Sequence, residues 1–107
     1  MDKLNEIRRE IVDITKKYGI KIEQIILFGS RARGNFKEGS DWDILIVLSE
    51  DLEEKLYWKV YSEIHQRLIE ILDSPIDLLM VSLSYFKENE KNIGKPYYWA
   101  KVEGITI

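Results

Sequence analysis

The run from Trp42 to Leu48 constrains this chain most, because its residues are large or β-branched and apolar at odd and even positions alike. Side chains alternate across a strand, so a strand with this pattern has no solvent face and must be covered on both sides. Ile22 to Phe28 is a second short, β-branched run, and it ends in Gly29-Ser30, the pattern of a buried strand entering a tight turn. Ile76 to Val81 follows Pro75 and carries Asp77 near its start; it reads as a third strand.

Helices to cover such a sheet are legible too. Leu4, Ile7, Ile11, Ile14 and Tyr18 recur at three- and four-residue steps and Gly19 follows, which predicts a helix over residues 2–18 with a glycine cap. A longer helix is expected from a Ser49 N-cap to about Leu72, with Glu50, Asp51, Glu53 and Glu54 complementing the positive end of its dipole. Ser84 is expected to cap a further helix that Gly94 and Pro96 break. Tyr97 to Glu103 forms a last helical turn, and Ile105 to Ile107 adds an edge strand. Residues 31–40 read as a polar, charged loop. The expected fold class is α/β (α+β), a short mixed sheet flanked by helices, in one domain over residues 1–107, since 107 residues is about the size of a single small domain.

Composition narrows the function. Apolar residues at 45% and charged residues at 33% give a globular balance, which excludes disorder. A formal charge of −3 argues against an extended nucleic-acid surface, which needs clustered Lys and Arg. Without cysteine the chain has no disulfides and no thiolate metal site, so oxygen ligands for a hard metal are what it can offer. Apolar runs are too short to span a membrane, and Met1-Asp2-Lys3 begins a charged helix rather than a signal peptide; the expected location is the cytoplasm.

Asp41 and Asp43 are one residue apart at the head of the central strand, so their carboxylates point to one face and Trp42 and Ile44 to the other. Two carboxylates a pleat apart are costly to keep ionised unless a cation lies between them, and oxygen-only ligation favours magnesium or manganese. The alternative is that both acids sit exposed at the strand's start without a ligand. Gly29-Ser30 opens a turn whose backbone N–H groups can converge on an anion, with close approach allowed by the glycine and a further donor in the Ser30 hydroxyl. Gly29 and Gly34 also have the spacing of a P-loop, but Asn35-Phe36 stand where that loop needs Lys and Ser or Thr.

Phe28-Gly29-Ser30, Ala32-Arg33-Gly34 and Ser40-Asp41-Trp42-Asp43-Ile44 together resemble the signature of the DNA polymerase beta-like nucleotidyltransferase superfamily, in particular its minimal nucleotidyltransferase (MNT) branch. The resemblance implies that fold. It further implies that Gly29 and Ser30 hold a triphosphate, that Asp41 and Asp43 bind two Mg2+ ions, and that Asp77 is the third acid. Arg31 and Arg33 are close enough in sequence to reach phosphate oxygens, or to pair with a loop acid instead. The implied reaction moves a nucleoside monophosphate, AMP from ATP, to a hydroxyl. Small members of the branch are similar to the antitoxin half of toxin–antitoxin pairs, so the implied acceptor is a tyrosine of a partner HEPN ribonuclease toxin. Two alternatives stand beside it: a catalytically silent module that neutralises its toxin by contact, and a small-molecule nucleotidyltransferase acting as a homodimer.

One pattern lies outside that signature. On the long helix Trp58, Tyr61, His65, Ile69 and Leu72 form a second apolar stripe beside the core stripe, which predicts a surface for a protein partner or a homo-oligomer unless Tyr61 and Leu72 only widen the core face. His65 is the only histidine and has no candidate co-ligands near it in sequence, so no metal or base role is assigned to it.

Overall fold

The computed structural model describes residues 2–107. In chain order it contains α1 (Lys3–Lys17), β1 (Ile22–Phe28), α2 (Ser30–Arg33), β2 (Trp42–Leu48), α3 (Glu54–Leu72), β3 (Ile76–Ser82), α4 (Leu83–Asn89), α5 (Pro96–Glu103) and β4 (Ile105–Thr106). The strands form one mixed sheet in the order β3-β2-β1-β4. β1 runs antiparallel to both β2 and β4, while β2 and β3 are parallel and joined by the α3 crossover.

The double-sided pattern of β2 is satisfied as its sequence requires. On one face Ile44 and Ile46 pack with Ile7, Ile11 and Ile14 of α1 and Val60, Ile64 and Leu68 of α3. On the other face Leu45 and Val47 pack with Phe86 of α4 and Ala100 of α5. The Trp42–Leu48 strand is therefore buried from both directions, which fixes its register and with it the position of Asp43.

Helix starts are where the structure departs from expectation. α3 begins at Glu54, capped by Glu53, whose side chain accepts from the Lys55 N–H. Ser49 does not cap it, because its N–H donates to Lys21 O at 3.0 Å and its hydroxyl donates to Glu23 at 2.7 Å, tying it to the start of β1. Similarly Ser82, not Ser84, caps α4 by accepting the Tyr85 N–H at 3.2 Å. The expected 31–40 loop begins with the short helix α2. Among the described residues no helix is long and apolar enough to cross a membrane.

The second stripe of α3 divides. Leu72 is buried in the core, so its place in an unpartnered stripe is corrected: it widens the face that packs on the sheet. Tyr61 is half-buried and donates its hydroxyl to Leu78 O at 2.7 Å, and Tyr57 donates to Met80 O at 2.6 Å. Both tyrosines thus occupy carbonyls on the outer edge of β3. His65 stacks on Tyr61, with ring centroids 6.1 Å apart and an interplanar angle of 9°. Trp58 and Ile69 remain on the surface, 54% and 39% exposed.

Candidate active site

Because β1 is antiparallel to β2 and β2 is parallel to β3, the carboxyl end of β1 and the amino ends of β2 and β3 meet at one end of the sheet. The register sets Phe28 of β1 beside Asp43 of β2, and Asp43 beside Asp77 of β3. Paired residues on neighbouring strands share a face, so the Asp43 and Asp77 carboxylates project together on the side that also carries Leu45 and Val47. α4 and α5 cover that face further along the strands and leave this row open: Asp43 is half-buried and Asp77 exposed. Asp41 precedes β2 rather than lying within it, and is exposed.

Gly29 joins β1 to α2 and closes the site from the β1 side. Its φ of 75° and ψ of −160° lie in a region that only glycine adopts without strain. A β-carbon there would sit 3.0 Å from Asp43 Cγ and overlap the carboxylate itself. The turn is therefore seated directly on Asp43. The Gly29 carbonyl accepts from the N–H groups of Ala32 and Arg33, both at 3.1 Å, and begins α2. The first N–H groups of a helix have no acceptor within it, so those of Ser30 and Arg31 belong to a turn that rests against a carboxylate. Gly34 ends the helix with a φ of 83°.

Burial holds the Asp43 carboxyl above its ordinary range, and the neighbouring charges of Asp77 and Asp41 push it further the same way, against a smaller opposing effect of Arg33. The site is thus a group of like charges short of positive partners. Among the described residues no three His, Asp or Glu side chains are gathered tightly enough to hold an ion at one point as they stand. The donors nevertheless suit magnesium or manganese: they are all carboxylates, and the one that is half-buried is destabilised in its charged form, which a bound cation would relieve.

The two arginines differ. Arg31 donates from Nε and Nη2 to Ser40 O at 3.2 and 2.9 Å, with its guanidinium 4.5 Å from the Phe36 ring centre and 4.3 Å from that of Trp42. It lies on the Trp42 side of the sheet and braces the 34–41 loop, away from the face that carries Asp43. Arg33 is within electrostatic reach of Asp43 and pairs with Glu103 of α5 at 2.7 Å. Sequence reasoning did not find Glu103, which is 70 residues from its partner, nor the stacking of Phe36 and Trp42 on Arg31. Two aromatic residues, Phe36 and Trp42, following Arg31 on either side of the polar loop's end were the available signal for the second of these.

A glycine turn against an acid row at the ends of three strands is the arrangement of a nucleotidyltransferase. The sequence pattern of the family described as polymerase beta, nucleotidyltransferase matches residues 9–95, and the chain belongs to that family. A relative from Methanocaldococcus jannaschii that carries the name of a protein adenylyltransferase is 39% identical over 93 residues, covering 71% of this chain and 98% of the relative. The protein adenylyltransferase MntA of Shewanella oneidensis is 33% identical over 79 residues, covering 74% of this chain and 52% of MntA. Among solved structures, one assigned as a minimal nucleotidyltransferase superposes with a TM-score of 0.63 at 19% identity, covering 100% of this chain and 97% of that one. A Shewanella oneidensis complex of a tri-AMPylated HEPN toxin with its MNT antitoxin gives a TM-score of 0.52 at 20% identity, covering 95% of this chain and 69% of that one. These structural likenesses extend over the whole sheet and both helical layers, so the fold is that of a minimal nucleotidyltransferase.

Proposed function

We propose that this nucleotidyltransferase transfers AMP from ATP to a tyrosine hydroxyl of a partner HEPN-type toxin, acting as its antitoxin in the cytoplasm. The observation that carries the reading is the Gly29 turn seated against Asp43 in the row Asp43–Asp77. The names of the relatives, and the AMPylated toxin in the complex that shares the fold, support the choice of nucleotide and acceptor. In this reading the backbone of Gly29-Ser30 and the Ser30 hydroxyl hold the triphosphate, and Arg33 turns from Glu103 to a phosphate oxygen. Arg31 serves the same site indirectly by holding the loop that leads to Asp41.

The acceptor oxygen attacks the α-phosphorus, the bond to the bridging oxygen of the β-phosphate breaks, and pyrophosphate leaves. Asp41, Asp43 and Asp77 are the residues that would hold two magnesium ions, which would supply charge neutralisation at the leaving group and acidify the attacking hydroxyl. In this reading Asp77, exposed at the start of an edge strand, takes the acceptor's proton on its carboxylate. Trp58 and Ile69 of α3 form the surface that meets the partner. The test is incubation with labelled ATP, magnesium and a HEPN partner encoded beside the gene. Label on a partner tyrosine, absent in EDTA, is the expected result. Label on a small molecule, or binding without label, would replace this reading with one of its two alternatives.

A further inference from the structure

The end of the sheet opposite Asp43, where β2 and β3 finish at Leu48 and Ser82, carries a cavity of about 290 Å3 that the transfer reaction does not use. It lies between the segment that leaves β2 and helices α3, α4 and α5. Three phenol rings wall it, Tyr57 from α3, Tyr85 from α4 and Tyr97 from α5, with Glu50 and Asp51 beside them and Met80 beneath. Tyr85 and Tyr97 stand perpendicular, centroids 5.4 Å apart at 84°, so one presents a face where the other presents an edge.

The polar side-chain atoms of this cavity are hydroxyl and carboxylate oxygens, none of them cationic. Tyr57 spends its proton on Met80 O at 2.6 Å and leaves oxygen lone pairs free. Burial first, with the neighbouring Tyr85 second, holds the Tyr97 phenol above its ordinary range and therefore neutral. None of the residues lining the cavity is Lys, Arg or His. Aromatic faces, lone pairs and two carboxylates that form no ion pair among the described residues complement a soft organic cation, whereas a bare metal ion would leave the rings unused. The volume is close to the lower end of small-molecule sites, roughly 300 Å3, and matches one basic side chain or a small amine.

We propose that this tyrosine-walled cavity binds an organic cation, an alkylammonium or alkylguanidinium group whose charge lies against the rings of Tyr57, Tyr85 and Tyr97 and the acids Glu50 and Asp51. The inference shares no residue with the nucleotide site, so either stands if the other fails. To test it, n-butylammonium and methylguanidinium chloride are titrated into the full chain while the tyrosine ring resonances are followed by NMR, with n-butanol and urea as neutral counterparts. Saturable shifts of the Tyr57, Tyr85 and Tyr97 rings by the cations alone are expected. Asp51→Asn and Tyr97→Leu should each weaken binding by at least about fivefold, the scale of one cation–π or charge contact. Putrescine and a lysine blocked at both backbone ends separate the sources: binding of the blocked lysine assigns the site to a basic side chain of another protein, and binding of putrescine alone to a free amine. Equal shifts with the neutral compounds, no saturation with any cation, or unchanged affinity in Asp51→Asn, a surface change that leaves the fold intact, would overturn the proposal.

Discussion

The Asp43 carboxylate fills the volume that a side chain at position 29 would need, so the turn after β1 and the acid of β2 are fitted to each other through a missing β-carbon. Gly29→Ala must either displace Asp43 or move the turn, and in both cases leaves the allowed backbone region. We expect a loss of about 1–3 kcal/mol in stability, the usual scale for such backbone strain, together with loss of ATP binding. Thermal unfolding and calorimetry with magnesium–ATP measure both. Unaltered ATP affinity would place the triphosphate elsewhere.

Without metal, Asp43 should oppose folding at neutral pH. Its folded carboxyl titrates above the ordinary 3.8 because of burial and then Asp77 and Asp41. Between that value and the higher folded one, the native protein keeps a proton the unfolded chain has lost. Stability from this group therefore falls as pH rises through the interval and stays lower above it. In EDTA, Asp43→Asn should melt above wild type at pH 7, and the difference should shrink as pH drops toward the ordinary carboxyl value. Magnesium should raise the melting temperature of wild type only, since it binds the native acid row that the variant lacks.

Asp77 should separate binding from turnover. Asp77→Asn is expected to keep magnesium–ATP affinity largely intact while lowering single-turnover transfer at least about 100-fold, the range of a lost general base. Asp41→Asn and Asp43→Asn should damage both. Transfer that survives in Asp43→Asn, or in EDTA, would show that these carboxylates are not the catalytic group.

Arg33 is given opposite expectations by its two roles. If its pair with Glu103 were its whole purpose, Arg33→Ala and Glu103→Gln would have the same small effect, under about 1 kcal/mol for an exposed pair. A phosphate role predicts instead that Arg33→Ala weakens ATP binding by about 1.5–3 kcal/mol while Glu103→Gln leaves it unchanged or stronger. Calorimetry on the two variants decides.

On α3, Trp58→Lys and Ile69→Lys should abolish partner association without loss of fold, as both residues are exposed. Leu72→Lys should unfold the protein instead, because Leu72 is in the core. Sedimentation beside circular dichroism distinguishes the outcomes; association that persists in the Trp58→Lys, Ile69→Lys double variant would remove this face as the interface.

The parts of this molecule legible from sequence are those set by local periodicity. β1 and β2 fall on the expected residues, and apolar side chains at both parities of β2 marked it as covered on both faces, whereas Asp41, expected within that strand, precedes it. What the sequence did not reveal depends on contacts between distant segments. Ser49 was a plausible helix cap until its hydroxyl met Glu23, and Arg31 a plausible phosphate ligand until Phe36 and Trp42 closed over it. The same holds for Leu72, whose burial depends on how α3 rolls on the sheet rather than on its spacing from Trp58.

Tyr57 and Tyr61 do more than steady β3. An outer strand normally offers a row of bare backbone groups to which a second polypeptide can add itself, and here two phenols already occupy the Met80 and Leu78 carbonyls. The opposite margin of the sheet is the two-residue strand Ile105–Thr106, too short to template another. Two of the acceptors through which a further strand would add at the β3 edge are thereby taken, which turns recognition of this molecule toward its side chains. Recognition written that way can be altered one residue at a time while the scaffold beneath it stays fixed.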